Sequence, residues 1–218
     1  MNQRTNADRK SERLRQLVAH DHCALLIQEV QEGVVGPKSG FPALASAVAE
    51  VGMIDHVAQV AAIARTWGVP VIHCTAETLP GGFGSNHNAR LFAAARKAGL
   101  ENLDRSDLAR PVPEVGPEGT DIVLPRYHGL SPMSGSPLDQ LLRNTDVTTV
   151  VVVGVSLNVA IPNLVFDAVN RGYQVVVVSD AVAGTPVEYG SQVLENSLSL
   201  VATVVTSDEL ASAWNAAP

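Results

Sequence analysis

A chain of 218 residues with 46% apolar content is long enough to bury one substantial core and fits a single α/β domain. Its formal net charge of −7 argues against a general nucleic-acid or anionic-membrane surface, since both need concentrated positive charge. No stretch approaches bilayer-spanning length and MNQRTNADRKSERLRQ lacks an apolar signal-peptide core, so a cytoplasmic location is the expectation.

In chain order, residues 1–20 read as a charged extension with a short helix over Ser11–Ala19, and residues 21–218 as one domain without repeats or linkers. Cys23–Val30 is predicted as the first buried strand, with Gln28 and Glu29 near its carboxyl end, where ligands bind in open α/β sheets. Met53–Trp67 is predicted as an amphipathic helix with Ile54, Val57, Val60, Ala61 and Ile63 inward, followed by a strand over Val69–Cys74. TAETLPGGFGSNH (Thr75–His87) reads as a loop, its Gly81–Gly84 run a flexible lid, because no Gly-Lys-Ser/Thr ending marks it as a phosphate loop. A helix over Ala89–Ala98, a Pro-containing excursion over Leu103–Gly119, a short strand at Ile122–Leu124 and a helix over Ser136–Arg143 come next. Val150–Val153 and Val175–Val178 are β-branched runs suited to strands buried on both faces. Between them Asn158–Arg171 has helical spacing, with Pro162 in the first turn and Gly172 at the end. The chain closes with a helix near Ser191–Leu198, a strand near Ala202–Val205 and a terminal helix. Right-handed crossovers assemble these units into a three-layer α/β/α sandwich on a Rossmann-like parallel sheet.

Three segments, GVSLNVAIPNLVFDAVNRGYQVVVVSDA (Gly154–Ala181), ALLIQEVQEGVVG (Ala24–Gly36) and PRYHGLSPMSGSPLDQLLR (Pro125–Arg143), resemble the isochorismatase-like hydrolase superfamily, which includes isochorismatases, nicotinamidases and N-carbamoylsarcosine amidase. The resemblance implies a catalytic triad of Asp, Lys and Cys. Here Glu29 stands at the Asp position, Ala160 at the Cys position, and Arg126 nearest the Lys, with Tyr127 as an alternative alignment. It also implies that these groups converge on one crevice and that the protein forms a homo-oligomer. Gln31, His87, Tyr127, His128, Val155 and Ser156 are the expected substrate-binding residues.

Ala160 provides no nucleophile, which excludes thiolate attack at that position. Isochorismatases of the family need no Cys: they protonate a vinyl ether and let water capture the oxocarbenium ion. A buried Glu29 suits the acid of that chemistry, and Arg126 suits recognition of a carboxylate, making a small, anionic metabolite the favoured substrate. The rival readings are a fold retained for ligand binding or assembly, a C–N amidohydrolase engineered from Cys to Ala, and an altered nucleophile, for which Ser156 is the best hydroxyl candidate although no His or Asp is spaced to identify its base. Cys23 and Cys74 read as buried reduced thiols. The His20-Asp21-His22-Cys23 run reads as a solvated strand entrance and TAETLP lacks the family's metal-binding pattern, so no metal or cofactor is expected.

Overall fold

The computed structural model describes residues 6–97 and 107–216. Six strands form one parallel sheet in the order β3-β2-β1-β4-β5-β6: β1 Cys23–Gln28, β2 Val71–Ala76, β3 Ile122–Arg126, β4 Thr149–Val155, β5 Gln174–Ala183 and β6 Thr203–Val205. Strand alternation divides the core into two layers. Leu25, Ile27, Val151, Val153, Val176 and Val178 pack with α1 (Asn6–Leu17), α2 (Pro42–Glu50), α3 (Met53–Thr66) and α9 (Ser207–Asn215). Ala24, Leu26, Val150, Val152, Val175 and Val177 face α5 (Pro132–Gly135), α6 (Leu138–Asn144), α7 (Ala160–Asn170) and α8 (Val187–Asn196). One further helix, α4 (Arg90–Lys97), contributes no buried residue to either layer.

The sandwich matches the expected architecture, and its differences from the sequence reading have local causes. α2 escapes a periodicity search because PALASAVAE buries only Leu44, Ala47 and Val48, although Pro42 in its first turn is a start signal. α5 has only four residues, too few to show a period. β5 runs on through Ser179 and Asp180 to Ala183, with the register against β4 shifting between Val152 and Gly154. Ile54 and Ile63, expected inward, lie only partly buried, while Met53 and Ala64 take the core positions of α3. The N-terminal helix belongs to the main core: Leu14 and Val18 are buried, and Trp214 Nε1 donates to Val18 O at 2.9 Å. Of the expected excursion over Leu103–Gly119, residues 103–106 lie outside the described residues, as does Ala98 of the expected helix. The remainder is tied back by Val112 N–H to Val30 O, 3.1 Å, and a Gln31–Pro111 bridge. Among the described residues no single helix is long and apolar enough to cross a membrane; α2 and α3 reach that measure only together, across a 67° bend.

A charged cluster fastens α3 to the β2–β3 side of the sheet. Arg65 donates to Asp121 Oδ2 at 2.6 Å and to Val115 O at 2.7 Å, while His73 Nε2 lies 3.0 Å from Asp121 Oδ2. Burial lowers the His73 pKa from its ordinary 6.5, against the opposing pull of Asp121. Burial alone would raise Asp121, but the Arg65 guanidinium, the Glu118 N–H and His73 together hold it below the ordinary 3.8. An imidazole depressed in the folded state takes its proton first in the unfolded chain, so stability falls as pH drops below about 6.5. The Asp121 contribution is present above its unfolded value and is lost at lower pH, as the folded carboxyl protonates. Urea midpoints between pH 7 and 5 should therefore decline, less steeply in His73→Gln. Asp121→Asn, which leaves Arg65 and His73 without their anion, should cost about 3 kcal/mol at pH 7.

Candidate active site

Strand order reverses between β1 and β4: the chain moves from β1 outward to β2 and β3, and from β4 the other way to β5 and β6. The carboxyl ends of such a neighbouring pair diverge into a crevice, the usual ligand position of an open parallel sheet. Glu29 follows β1 and Ala160 opens the helix after β4, so the fold places both there.

Glu29 has φ +52°, a left-handed conformation uncommon for a residue with a side chain and costing of order 1–2 kcal/mol. It ends the strand alternation, and Glu29 N–H donates to Cys74 O at 3.0 Å. Its carboxylate is 15% exposed and pairs through Oε1 with Arg126, itself 10% exposed at the end of β3. Gln28 Nε2 donates to the same oxygen at 2.7 Å. Both partners are donors, which complements a carboxylate oxygen, and no protein group bonds Oε2 among the described residues. Arg126 also donates to Gly129 O, so both ends of its guanidinium are committed. The position next to it, Tyr127, lines the same cavity without touching Glu29 through a hydrogen bond.

After β4, Gly154 lets the backbone pass against β1: a Cβ there would lie 2.2 Å from Gln28 O, and its φ is +105°. The chain then turns through Val155, Ser156 and Asn158 into α7. Ile161 N–H is committed to Ser156 O and Asn163 N–H to Val159 O, whereas no such bond engages Ala160 N–H among the described residues. The turn is further held by Asn158, whose side chain exchanges hydrogen bonds with Thr185 at 2.6 and 2.9 Å. Among the described residues no His or Asp hydrogen-bonds the Ser156 hydroxyl.

These ends floor a cavity of about 710 Å³. It brings together Glu29, Arg126, Tyr127, His128, Val155, Ser156, Ala160 and, on its outer wall, His87. The sequence reading missed that wall: Phe41, Leu44, Leu91, Phe92, Ala95 and Arg96 also line the space. The amphipathic repeat of α4 was the available signal. Gln31 sits elsewhere. Fully buried, it donates to Ala76 O and Ala109 O and accepts from Ala76 N–H, so it closes backbone gaps beside the site and does not border the cavity. Gly81 and Gly82 do line the cavity, within a short 3-10 turn.

Neither cysteine of the chain borders this space. Cys23 lies at the opposite, amino end of β1 with Sγ toward Val18 O, and Cys74 is enclosed within β2. Burial pushes both thiols up to about 12, far from the thiolate form a nucleophile needs. His20 stacks on Trp67 and His22 binds Asp21 and Gln16 O, and no group of three metal-ligand side chains occurs among the described residues.

An isochorismatase domain model matches residues 23–209. A ureidoacrylate amidohydrolase of Methylobacterium radiotolerans is 31% identical over 172 residues, 72% of this chain and 65% of that protein, so the match spans slightly less than two thirds of the relative. A second, from Methylorubrum extorquens, is 30% identical over 183 residues, 76% of this chain and 72% of its own length. Among solved structures, an isochorismatase family protein from Desulfovibrio vulgaris superposes with a TM-score of 0.74 at 25% identity, covering 88% of this chain and 97% of the other.

The contact of β4 with β1 makes the site sensitive to one methyl group. Gly154→Ala should lower stability by about 3 kcal/mol, because a close backbone approach and a positive φ are both violated. Gly172→Ala, with φ +90° but no atom within 4 Å, should cost about 1 kcal/mol. Urea denaturation of the two variants checks the difference.

Proposed function

Because the chain belongs to the isochorismatase family, we propose that it hydrolyses a small organic molecule without a protein thiol, with Glu29 as the proton-transfer group. The observation that carries this reading is the cavity floor: a carboxylate anchored through one oxygen, beside a helix that begins with Ala160 where the family resemblance implies Cys. With no thiol at that position, water forms the new bond and the protein moves a proton.

Vinyl-ether hydrolysis fits these parts. A proton from Glu29 Oε2 adds to the terminal vinyl carbon, leaving an oxocarbenium ion. Water bonds to the cationic carbon and returns a proton to Glu29, and the resulting hemiketal separates into a carbonyl compound and an alcohol. Arg126 and Gln28 hold Oε1 throughout, orienting the carboxyl and stabilising its anion while the cation exists.

The names of the two amidohydrolase relatives favour a second reading, C–N hydrolysis. In that case ionised Glu29 takes a proton from water as it attacks a carbonyl carbon, Ala160 N–H is available as a donor for the oxyanion, and the proton passes to the departing nitrogen.

Turnover of isochorismate and of ureidoacrylate by the wild type and Glu29→Gln tests both. Isochorismate hydrolysis falling about 100-fold or more in the folded variant supports the first reading. Ureidoacrylate hydrolysis alone, lost in the same variant, moves the assignment to the second. Undiminished rates in Glu29→Gln remove this residue from the chemistry, and an inert wild type on both compounds favours ligand binding without turnover. Ala160→Cys should not by itself produce efficient amide hydrolysis, since Glu29 and Arg126 differ from the Asp and Lys that accompany the family thiolate; assay of that variant on ureidoacrylate checks this.

A further inference from the structure

Two cations line the cavity besides its histidines, and their surroundings differ. Arg126 is neutralised by Glu29 and spent on Gly129 O. Arg96, at the end of α4, has no carboxylate partner among the described residues; its NH1 donates to His87 Nδ1 at 2.6 Å. Since a guanidinium cannot accept, this contact fixes Nδ1 of His87 as the lone-pair nitrogen and orients the Arg96 fork at the cavity wall. The cavity's other carboxylate, Glu77, accepts from Thr75 Oγ1 at 3.0 Å, within the β2 end.

The same helix turns apolar surface toward the space. Leu91, Phe92 and Ala95 all line the cavity, yet no residue of α4 is buried, and Leu91 is 39% exposed. Phe41 and Leu44 line the cavity as well. An amphipathic helix whose apolar residues border open space gains free energy when a ligand covers them, roughly 25 cal/mol per Å², and a guanidinium one turn along adds a charge-assisted partner for an acid.

Resting on the hydrolase reading above, we propose that the substrate is an organic acid with an apolar body, its carboxylate held by Arg96 and its hydrocarbon or aryl portion packed on Phe92, Leu91 and Phe41, which presents the hydrolysable group to Glu29. Arg96 is then the specificity residue for charge, and α4 the wall that selects for the apolar portion. The assignment of carboxylate recognition moves from Arg126, whose charge is already balanced, to Arg96.

Calorimetric titration with 3-phenylpropionate and its neutral amide, 3-phenylpropionamide, reads this without requiring turnover. The wild type should bind the acid about tenfold more tightly than the amide. Arg96→Gln, a change on an exposed helix position, should abolish that preference while leaving amide affinity within about twofold. Phe92→Ala should weaken acid and amide alike, several-fold. An acid preference that persists in Arg96→Gln, equal binding of acid and amide by the wild type, or no binding of either overturns the proposal. Failure of Glu29-dependent hydrolysis would leave these affinities unchanged, so the two readings fail separately.

Discussion

The ion pair between Glu29 and Arg126 organises the cavity. It spans the ends of β1 and β3 across the intervening β2, joining two strands that share no backbone hydrogen bonds. Both side chains are largely withdrawn from water, and losing either partner would leave a buried charge without compensation, typically a penalty of 3–5 kcal/mol. The second arm of Arg126 reaches Gly129 O, and Gly129 N–H donates to Asn86 Oδ1 at 2.7 Å. Asn86 precedes His87, the partner of Arg96. Polar contacts on either side of the Asn86–His87 peptide thus join the floor of the cavity to its outer wall.

That arrangement also fixes where charge is available. Arg126 is engaged by a carboxylate and a carbonyl, whereas Arg96 faces the His87 ring and has no carboxylate partner among the described residues. Residue type alone made Arg126 the natural anchor for a substrate carboxylate; its pairing with Glu29 is the reason we propose Arg96 for that role. The same logic applies to Glu29. Its Oε1 is occupied by two donors, Gln28 and Arg126, and no protein group among the described residues bonds the other oxygen.

The floor is held by close backbone packing as much as by charge. β4 approaches β1 so tightly at Gly154 that no side chain fits, and Glu29 adopts a left-handed conformation at the point where its strand ends. Strain of this sort persists only where the surroundings over-determine it, and it clusters at functional sites. Gln31 serves the same purpose from behind, satisfying backbone groups of Ala76 and Ala109 where the chain leaves the sheet.

By itself the sequence determined the layered α/β architecture. Unbroken β-branched runs such as Val150–Val153 suit only doubly buried strands, and the helical spacing between them demands a parallel crossover. The family resemblance placed Glu29 after the first strand and Ala160 near a helix start, and left Arg126 and Tyr127 as alternatives in the loop after Leu124. Short or weakly patterned elements were not legible: α2 buries only Leu44, Ala47 and Val48, and the four residues of α5 do not establish a period. Tertiary structure alone decided which polar groups are partnered among the described residues. Gln31 and Arg126 are consumed by backbone carbonyls and a carboxylate brought together from distant parts of the chain, while Arg96 and the apolar face of α4 remain turned to the cavity. Hydrogen bonding and charge compensation depend on neighbours in space, and local sequence carries no record of those neighbours.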